Sequence, residues 1–198
     1  MMETYLRPKI QPVFNSIAKL CIHHGFTPNA ITYCSFVSGM ASALLIAFNL
    51  FIPALIFLLL SGTADIMDGT IARLSNSSTK AGAFIDLISD RLVEGMIIIG
   101  FSIAYPQHNF VYILFLVAVL FHFATFAIAG SLFKNTGEKS MFYIPSIVSR
   151  AEAFVTFSGI ILFPSYLALQ LSVFTFLVFF AAINQFLQVF NYAILNDH

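Results

Sequence analysis

The chain has 198 residues, 59% of them hydrophobic and 9% charged, with a formal net charge of zero. Soluble domains carry roughly 25% charged residues, so this composition cannot cover a water-facing surface, and a mean hydropathy of +0.91 makes the bilayer its natural solvent. Neutrality without a basic run argues against nucleic acid as a partner, and Cys21 and Cys34 have no metal-type spacing and offer no disulfide framework.

The length suits one domain over 1–198, all-α: an integral membrane bundle of six transmembrane helices (27–198) after a juxtamembrane segment (1–26). The 24 Phe residues suit lipid-facing helices, although Trp, the usual interface anchor, is absent. The first 25 residues hold Glu3, Arg7, Pro8, Lys9, Pro12 and Lys19 with no long apolar core. No cleavable signal peptide is therefore expected. From Val13 onward, Val13, Phe14, Ile17, Leu20 and Cys21 recur at helical spacing opposite Asn15, Ser16 and Lys19. This predicts a short amphipathic helix on the membrane surface, or else a first turn packed on the bundle.

Thr27 as N-cap with Pro28 in the first turn opens the first spanning helix. Residues 29–48 carry no charge and are long enough to cross ~30 Å. After a turn at 49–53, the second helix is predicted over 53–74 and the third over 81–105, broken by Pro106-Gln107-His108-Asn109. The fourth is predicted over 110–133, a polar loop over 134–143, the fifth over 145–163 and the sixth over 171–194. Arg7, Lys9, Lys19, Arg73, Lys80, Lys134, Lys139 and Arg150 all fall at the N-terminus, the 2–3 loop or the 4–5 loop, while the opposite loops hold no Lys or Arg. The positive-inside rule then expects both termini and those loops on the cytoplasmic side of a prokaryotic-type cytoplasmic membrane.

Five of the nine acidic residues lie between positions 65 and 94 in apolar surroundings: Asp65, Asp68, Asp86, Asp90 and Glu94. An intramembrane charge costs about 2.5–3.5 kcal/mol on insertion scales, so the cluster needs compensation and a use. Asp65 and Asp68 are i, i+3 and share a face, and Asp86, Asp90 and Glu94 step by four along another. The Ser/Asn-rich connector 74–80 makes the two helices a hairpin, so four carboxylates converge. Hard oxygen ligands suit Mg2+, Mn2+ or Ca2+ rather than zinc, and two ions ~3.5–4 Å apart are a common answer for phosphoryl substrates. Gly69 and Gly82 let helices and a nucleotide diphosphate approach, and Arg73 suits a carboxylate or a phosphate.

The run Asp65-Ile66-Met67-Asp68-Gly69-Thr70-Ile71-Ala72-Arg73, then eight residues, Gly82, three residues, Asp86, three residues and Asp90 resembles the signature of the CDP-alcohol phosphatidyltransferases. The resemblance extends to the six-helix plan, the surface helix and Thr27-Pro28-Asn29-Ala30-Ile31-Thr32. It implies transfer of a phosphatidyl group from a CDP-lipid such as CDP-diacylglycerol to an alcohol hydroxyl, with release of CMP. It implies a pair of Mg2+ or Mn2+ ions on Asp65, Asp68, Asp86 and Asp90, with Asp90 also the general base. Asn29, Thr32, Gly69, Ala72, Arg73 and Gly82 would hold the CDP-lipid, and the enzyme would be a homodimer.

A second polar group comprises Ser131, Lys134, Arg150 and Glu152. Ser131, Lys134 and Arg150 are similar to the acceptor-phosphate clasp of the phosphatidylinositol phosphate synthase branch, as is the pair Asp90-Arg91. The loop Lys134-Asn135-Thr136-Gly137-Glu138 and the stretch 149–153 depart from that branch's pattern. Inositol phosphate and glycerol 3-phosphate both stay open as acceptors, with unphosphorylated serine or inositol behind them.

Blander readings stand beside these. The acids could serve a cation pathway in a small transporter, although no paired broken helices or inverted halves accompany them. Glu94 is read as a structural partner of Arg91 or Arg73, and His122 as a hydrogen-bonded core histidine. Lys80 and Lys139 would enforce topology, a role Lys134 and Arg150 could share. The Phe-rich sixth helix is read as lipid-facing or dimer-forming.

Overall fold

The structure is a computed structural model that describes residues 2–133, 148 and 150–196. The described residues form helices and connecting turns, with no strand among them. In chain order the helices are α1 (Met2–His23), α2 (Pro28–Ala47), α3 (Phe51–Leu74), α4 (Lys80–Ala104), α5 (Asn109–Leu132), α6 (Arg150–Leu162) and α7 (Leu167–Asn196). Short 3-10 turns at Pro106–His108 and Pro164–Tyr166 lead into α5 and α7.

One device closes the first three helices. Gly25, Asn49 and Asn76 take the left-handed conformation, with φ of 80°, 60° and 51°. At each, the next residue's N–H reaches back to a carbonyl five residues earlier: Phe26 to Cys21 (3.0 Å), Leu50 to Leu45 (2.9 Å) and Ser77 to Ala72 (3.1 Å). These are Schellman closures, which Gly and Asn tolerate best. The helices restart on threonine caps. Thr27 Oγ1 accepts from Ala30 N at 3.3 Å, and Thr79 Oγ1 from Gly82 N at 3.0 Å. Tight stops and capped starts make α2–α3 and α3–α4 antiparallel hairpins.

Small residues bring these helices close. A Cβ on Gly100 of α4 would lie 2.4 Å from the Ala43 carbonyl oxygen of α2, and one on Gly39 of α2 would lie 2.5 Å from Val93 Cγ1 of α4. Ser35 Oγ donates to Ser61 O at 2.8 Å and Ser42 Oγ to Ala54 O at 2.8 Å. These are the small-residue contacts and interhelical hydrogen bonds by which helices associate in lipid. On the other side Phe115 of α5 packs between Phe157 of α6 and Phe174 of α7, with ring centroids 6.0 and 5.7 Å apart. Tyr112 Oη donates to Phe101 O at 3.1 Å and ties α5 to α4. The core runs through Ile46, Leu58, Ile97, Phe101, Phe115, Phe157 and Leu171.

Among the described residues, four helical stretches are long and apolar enough to cross a membrane: Pro28–Ala47, Phe51–Leu74, Pro106–Leu132 and Pro164–Leu195. The six-span expectation therefore meets this criterion at four places. α4 falls short because Lys80, Asp86, Asp90, Arg91 and Glu94 crowd it with charge, and the described part of α6 has 13 residues.

Helix bounds shift in three places. α1 begins well before Val13, because its docking on α3 through Phe14, Ala18, Cys21 and Ile22 against Met67 and Ile71 orders the segment despite Pro8 and Pro12. α3 begins at Phe51 with Pro53 in its first turn, where proline is tolerated. α7 runs from Leu167 because the turn at Pro164 feeds straight into it. The predicted loop 134–143, and 145–147 of the predicted fifth helix, lie outside the described residues.

The α2–α4 contact yields a prediction. Gly100→Ala forces the helices apart and lowers stability by about 1–3 kcal/mol, read as a lower Tm in detergent. Gly95→Ala, with nothing within 4 Å of the added Cβ, leaves Tm unchanged or raises it.

Candidate active site

The α3–α4 hairpin builds the site. Asp65 and Asp68 sit one turn apart on α3, followed by the Asn76 reversal and the Thr79 cap. That cap starts α4 so that Asp86 faces back across the hairpin. Asp65, Asp68 and Asp86 each offer a carboxylate oxygen within 4.8 Å of the others. Asp68 is 5% exposed. Its Oδ2 and the Oδ1 of Asp86 are buried without a hydrogen-bond partner, although buried polar atoms are almost always satisfied. Two orphaned anionic oxygens in an all-carboxylate donor set fit a hard divalent cation. Asp65, Asp68 and Asp86 are the residues that would hold it.

Asp90 joins this group indirectly. The Arg150 guanidinium, from the start of α6, makes ion pairs with both Asp65 and Asp90 and lies over the Phe154 ring, 5.2 Å from its centroid. Four carboxylates thus do share one neighbourhood, with three grouped and the fourth linked through an arginine. Glu94, 6% exposed, is held by Arg91 through two contacts of 2.8 Å, one of the two pairings expected for it.

Beside the carboxylates lies a cavity of about 190 Å3. Asn29, Thr32, Asp68, Gly69, Ala72, Arg73, Gly82 and Asp86 line it, with Pro28, Ser77, Ser78, Thr79 and Ala83. All six residues assigned to the CDP-lipid by resemblance are therefore on its wall. Its glycines keep it open. A Cβ on Gly69 would lie 3.4 Å from Arg73 Nη1, and one on Gly82 3.1 Å from Thr79 Oγ1 and 3.2 Å from Asn29 Oδ1. The sequence reading missed Ser77, Ser78 and Thr79 because it treated 74–80 only as a connector. The Thr79-x-x-Gly82 capping spacing was the available signal.

The acceptor-side residues are less gathered. Ser131 is exposed at the end of α5, with its hydroxyl donating to Ile128 O at 2.8 Å. Lys134 lies outside the described residues, and of the three residues expected to clasp an acceptor phosphate only Arg150 is seen to face the carboxylates. A second, smaller cavity of about 70 Å3 adjoins it, lined by Arg91, Glu94, His122 and Arg150 together with apolar residues of α5 and α7. His122, expected in the core, is half-buried on that wall. No sequence spacing links α4, α5 and α6, so this grouping could not be read in advance.

Comparison with known proteins places these features. The chain is similar to the inner membrane protein YnjF of Escherichia coli (strain K12), with 28% identity over 182 residues covering 88% of each chain. It is 35% identical over 97 residues to the phosphatidylinositol phosphate synthase of Corynebacterium glutamicum, spanning 48% of this chain and 44% of that protein. The crystal structure of Mycobacterium tuberculosis phosphatidylinositol phosphate synthase (PgsA1) in complex with manganese and citrate shares the fold. Its TM-score is 0.73 at 19% identity, covering 89% and 88% of the two chains. The same enzyme with CDP-DAG bound gives a TM-score of 0.69 at 19% identity, over 91% and 92%. The apolar helices and the inner-membrane relative make this an integral membrane protein. With the CDP-alcohol phosphatidyltransferase model matching residues 26–190, the span that carries both the carboxylates and the cavity, the chain belongs to the CDP-alcohol phosphatidyltransferase family.

Proposed function

We propose that this enzyme transfers a phosphatidyl group from CDP-diacylglycerol to the hydroxyl of a phosphorylated alcohol, inositol phosphate or glycerol 3-phosphate, releasing CMP. The observation that carries the reading is the trio Asp65, Asp68 and Asp86, whose two members with orphaned oxygens, Asp68 and Asp86, line a cavity whose glycines leave room for a nucleotide diphosphate. Bound Mg2+ or Mn2+, two per site, would supply the positive charge that eases departure of the CMP phosphate. A neighbouring fold with manganese bound, and another copy with CDP-DAG bound, support both halves of that reading.

The remaining chemistry falls to the chain itself. Asn29, Thr32, Ala72, Arg73 and the two glycines grip the cytidine diphosphate. An alcohol is a weak nucleophile at neutral pH, so it needs a positioned base. Asp90 takes the hydroxyl proton. The alkoxide oxygen bonds to the phosphatidyl phosphorus as the bond from that phosphorus to the CMP oxygen breaks. Arg150 stands beside this base. An acceptor phosphate would draw the guanidinium from Asp65 and Asp90 into a charge-assisted pair of its own, freeing Asp90 to accept the proton. Ser131 and Lys134 would complete the phosphate's surroundings.

The setting follows from charge. Arg73 and Lys80 flank the site end of the α3–α4 hairpin, while the turns at 48–50, 105–108 and 163–166 carry no Lys or Arg, which supports a cytoplasmic active site and cytoplasmic termini with α4 and α6 completing six spans. The exposed apolar stripe Ile10, Val13, Ile17 and Leu20 on α1 supports its resting on the membrane surface. Two copies would form the working enzyme, as the family resemblance implies.

Three outcomes test the proposal in purified enzyme, with CMP release from CDP-diacylglycerol as readout. Chelation with EDTA abolishes release and added Mg2+ or Mn2+ restores it; full activity in EDTA would remove the metal site. Asp90→Asn lowers kcat about 100- to 10,000-fold, the usual range for a lost general base, and unchanged turnover would refute its role. Across inositol phosphate, glycerol 3-phosphate, serine and free inositol, a phosphorylated acceptor is used best, and Arg150→Ala raises KM for it more than for the CDP-lipid. An equal effect on both substrates counts against the clasp.

A further inference from the structure

Thr70 lies inside the metal-binding run but was assigned no role, and its hydroxyl is fully committed. It is 1% exposed. Its Oγ1 donates to Ile66 O at 2.7 Å and accepts from Arg73 Nη2 at 3.2 Å and from Gln11 Nε2 at 3.3 Å. One donor and two lone pairs exhaust a threonine hydroxyl. Burial keeps water from replacing any of the three partners.

The two incoming donors arrive from different helices. Arg73 lines the large cavity, and its Nη1 lies 3.4 Å from where a Cβ on Gly69 would be. Gln11 belongs to α1, and its Nε2 also donates to Asn15 Oδ1 at 2.9 Å. α1 is seated on α3 by Phe14, Ala18, Cys21 and Ile22 packed around Met67 and Ile71, the residues on either side of Thr70. The apolar seat therefore fixes where Gln11 stands, Gln11 and Ile66 fix the Thr70 oxygen, and that oxygen holds one nitrogen of the Arg73 guanidinium. A free arginine side chain samples many rotamers and loses that freedom on binding a phosphate. Holding it over the cavity in advance lowers the cost of gripping a diphosphate.

We propose that Thr70 is a positioning residue for the CDP-lipid, holding the Arg73 guanidinium over the donor cavity, and that Gln11 makes α1 part of the donor site. This rests on the reading of that cavity as the CDP-lipid site.

The test uses the full-length enzyme in detergent with Mn2+, comparing wild type, Thr70→Val, Thr70→Ser and Gln11→Leu. Each is measured for equilibrium binding of CDP-diacylglycerol without acceptor, for KM of each substrate, for kcat and for Tm. Thr70→Val keeps the shape and loses the hydroxyl, so donor Kd and KM rise about 3- to 10-fold, the size of one or two lost hydrogen bonds. Acceptor KM does not change, and kcat stays within about twofold. Thr70→Ser restores donor affinity, and Gln11→Leu weakens it in the same direction but less. Wild-type donor binding in Thr70→Val, a Ser variant as weak as Val, or a loss confined to kcat overturns the proposal. Should Thr70→Val fail to fold, unchanged donor affinity in Gln11→Leu overturns it alone. Wild-type enzyme that binds CDP-diacylglycerol but releases no CMP with any acceptor sinks the transfer reading, while the binding series still decides the role of Thr70.

Discussion

Carboxylate repulsion inside an apolar bundle is the constraint to which the rest of the molecule answers. Three carboxylate oxygens lie within 4.8 Å of one another. With an effective dielectric of about 20, each ionised pair at that distance repels by at least about 3 kcal/mol. Three such pairs rival the 5–15 kcal/mol that typically separates folded from unfolded protein. Arg150 offsets part of this from α6 by pairing with Asp65 and Asp90. The two orphaned oxygens on Asp68 and Asp86 lie where a bound cation would supply the remainder.

A hairpin under such strain has to be held shut. Apolar packing alone cannot do this in lipid, because the tails solvate leucine as well as a neighbouring helix does. The holding contacts are accordingly steric and polar: Gly39 against Val93, Gly100 against the Ala43 carbonyl, and Ser35 and Ser42 donating to backbone carbonyls of α3. Charge balance continues one turn deeper, where Glu94 is neutralised by Arg91 from its own helix. α2 thus clamps both arms of the hairpin, while the aromatic packing of α5, α6 and α7 carries Arg150 to the open side of the carboxylates.

The result divides the molecule by task. α2, α3 and α4 surround the large cavity, and α3 and α4 carry the carboxylates. α4 to α7 surround the smaller one, and Arg150 belongs to both neighbourhoods. Donor and acceptor halves of the proposed reaction would then meet at Asp90, which is tied to both through that arginine.

Local patterns already encode much of this. Thr27-Pro28 marks the start of α2, Pro106 and Pro164 break the bundle at its turns, and the i, i+3 and i+4 spacings of the aspartates put them on single helix faces because the α-helical period dictates it. The signature from Asp65 to Asp90 named the family, since those residues lie within one hairpin whose geometry is set by short-range bonds. Other features depend on helices far apart in sequence, and periodicity is silent on them. The seating of α1 on Met67 and Ile71, the reach of Arg150 to Asp65 and Asp90, and the grouping of His122 with Arg91 and Glu94 all arise from helix packing. So does the clamp on Thr70, whose partners come from α1 and α3. The sequence by itself determined which carboxylates stand together and what chemistry they suit, because neighbours along a helix are neighbours in space. Tertiary structure decided which cations and hydroxyls attend them, because those arrive across helix interfaces whose pairing depends on glycines, serines and aromatic rings meeting in three dimensions.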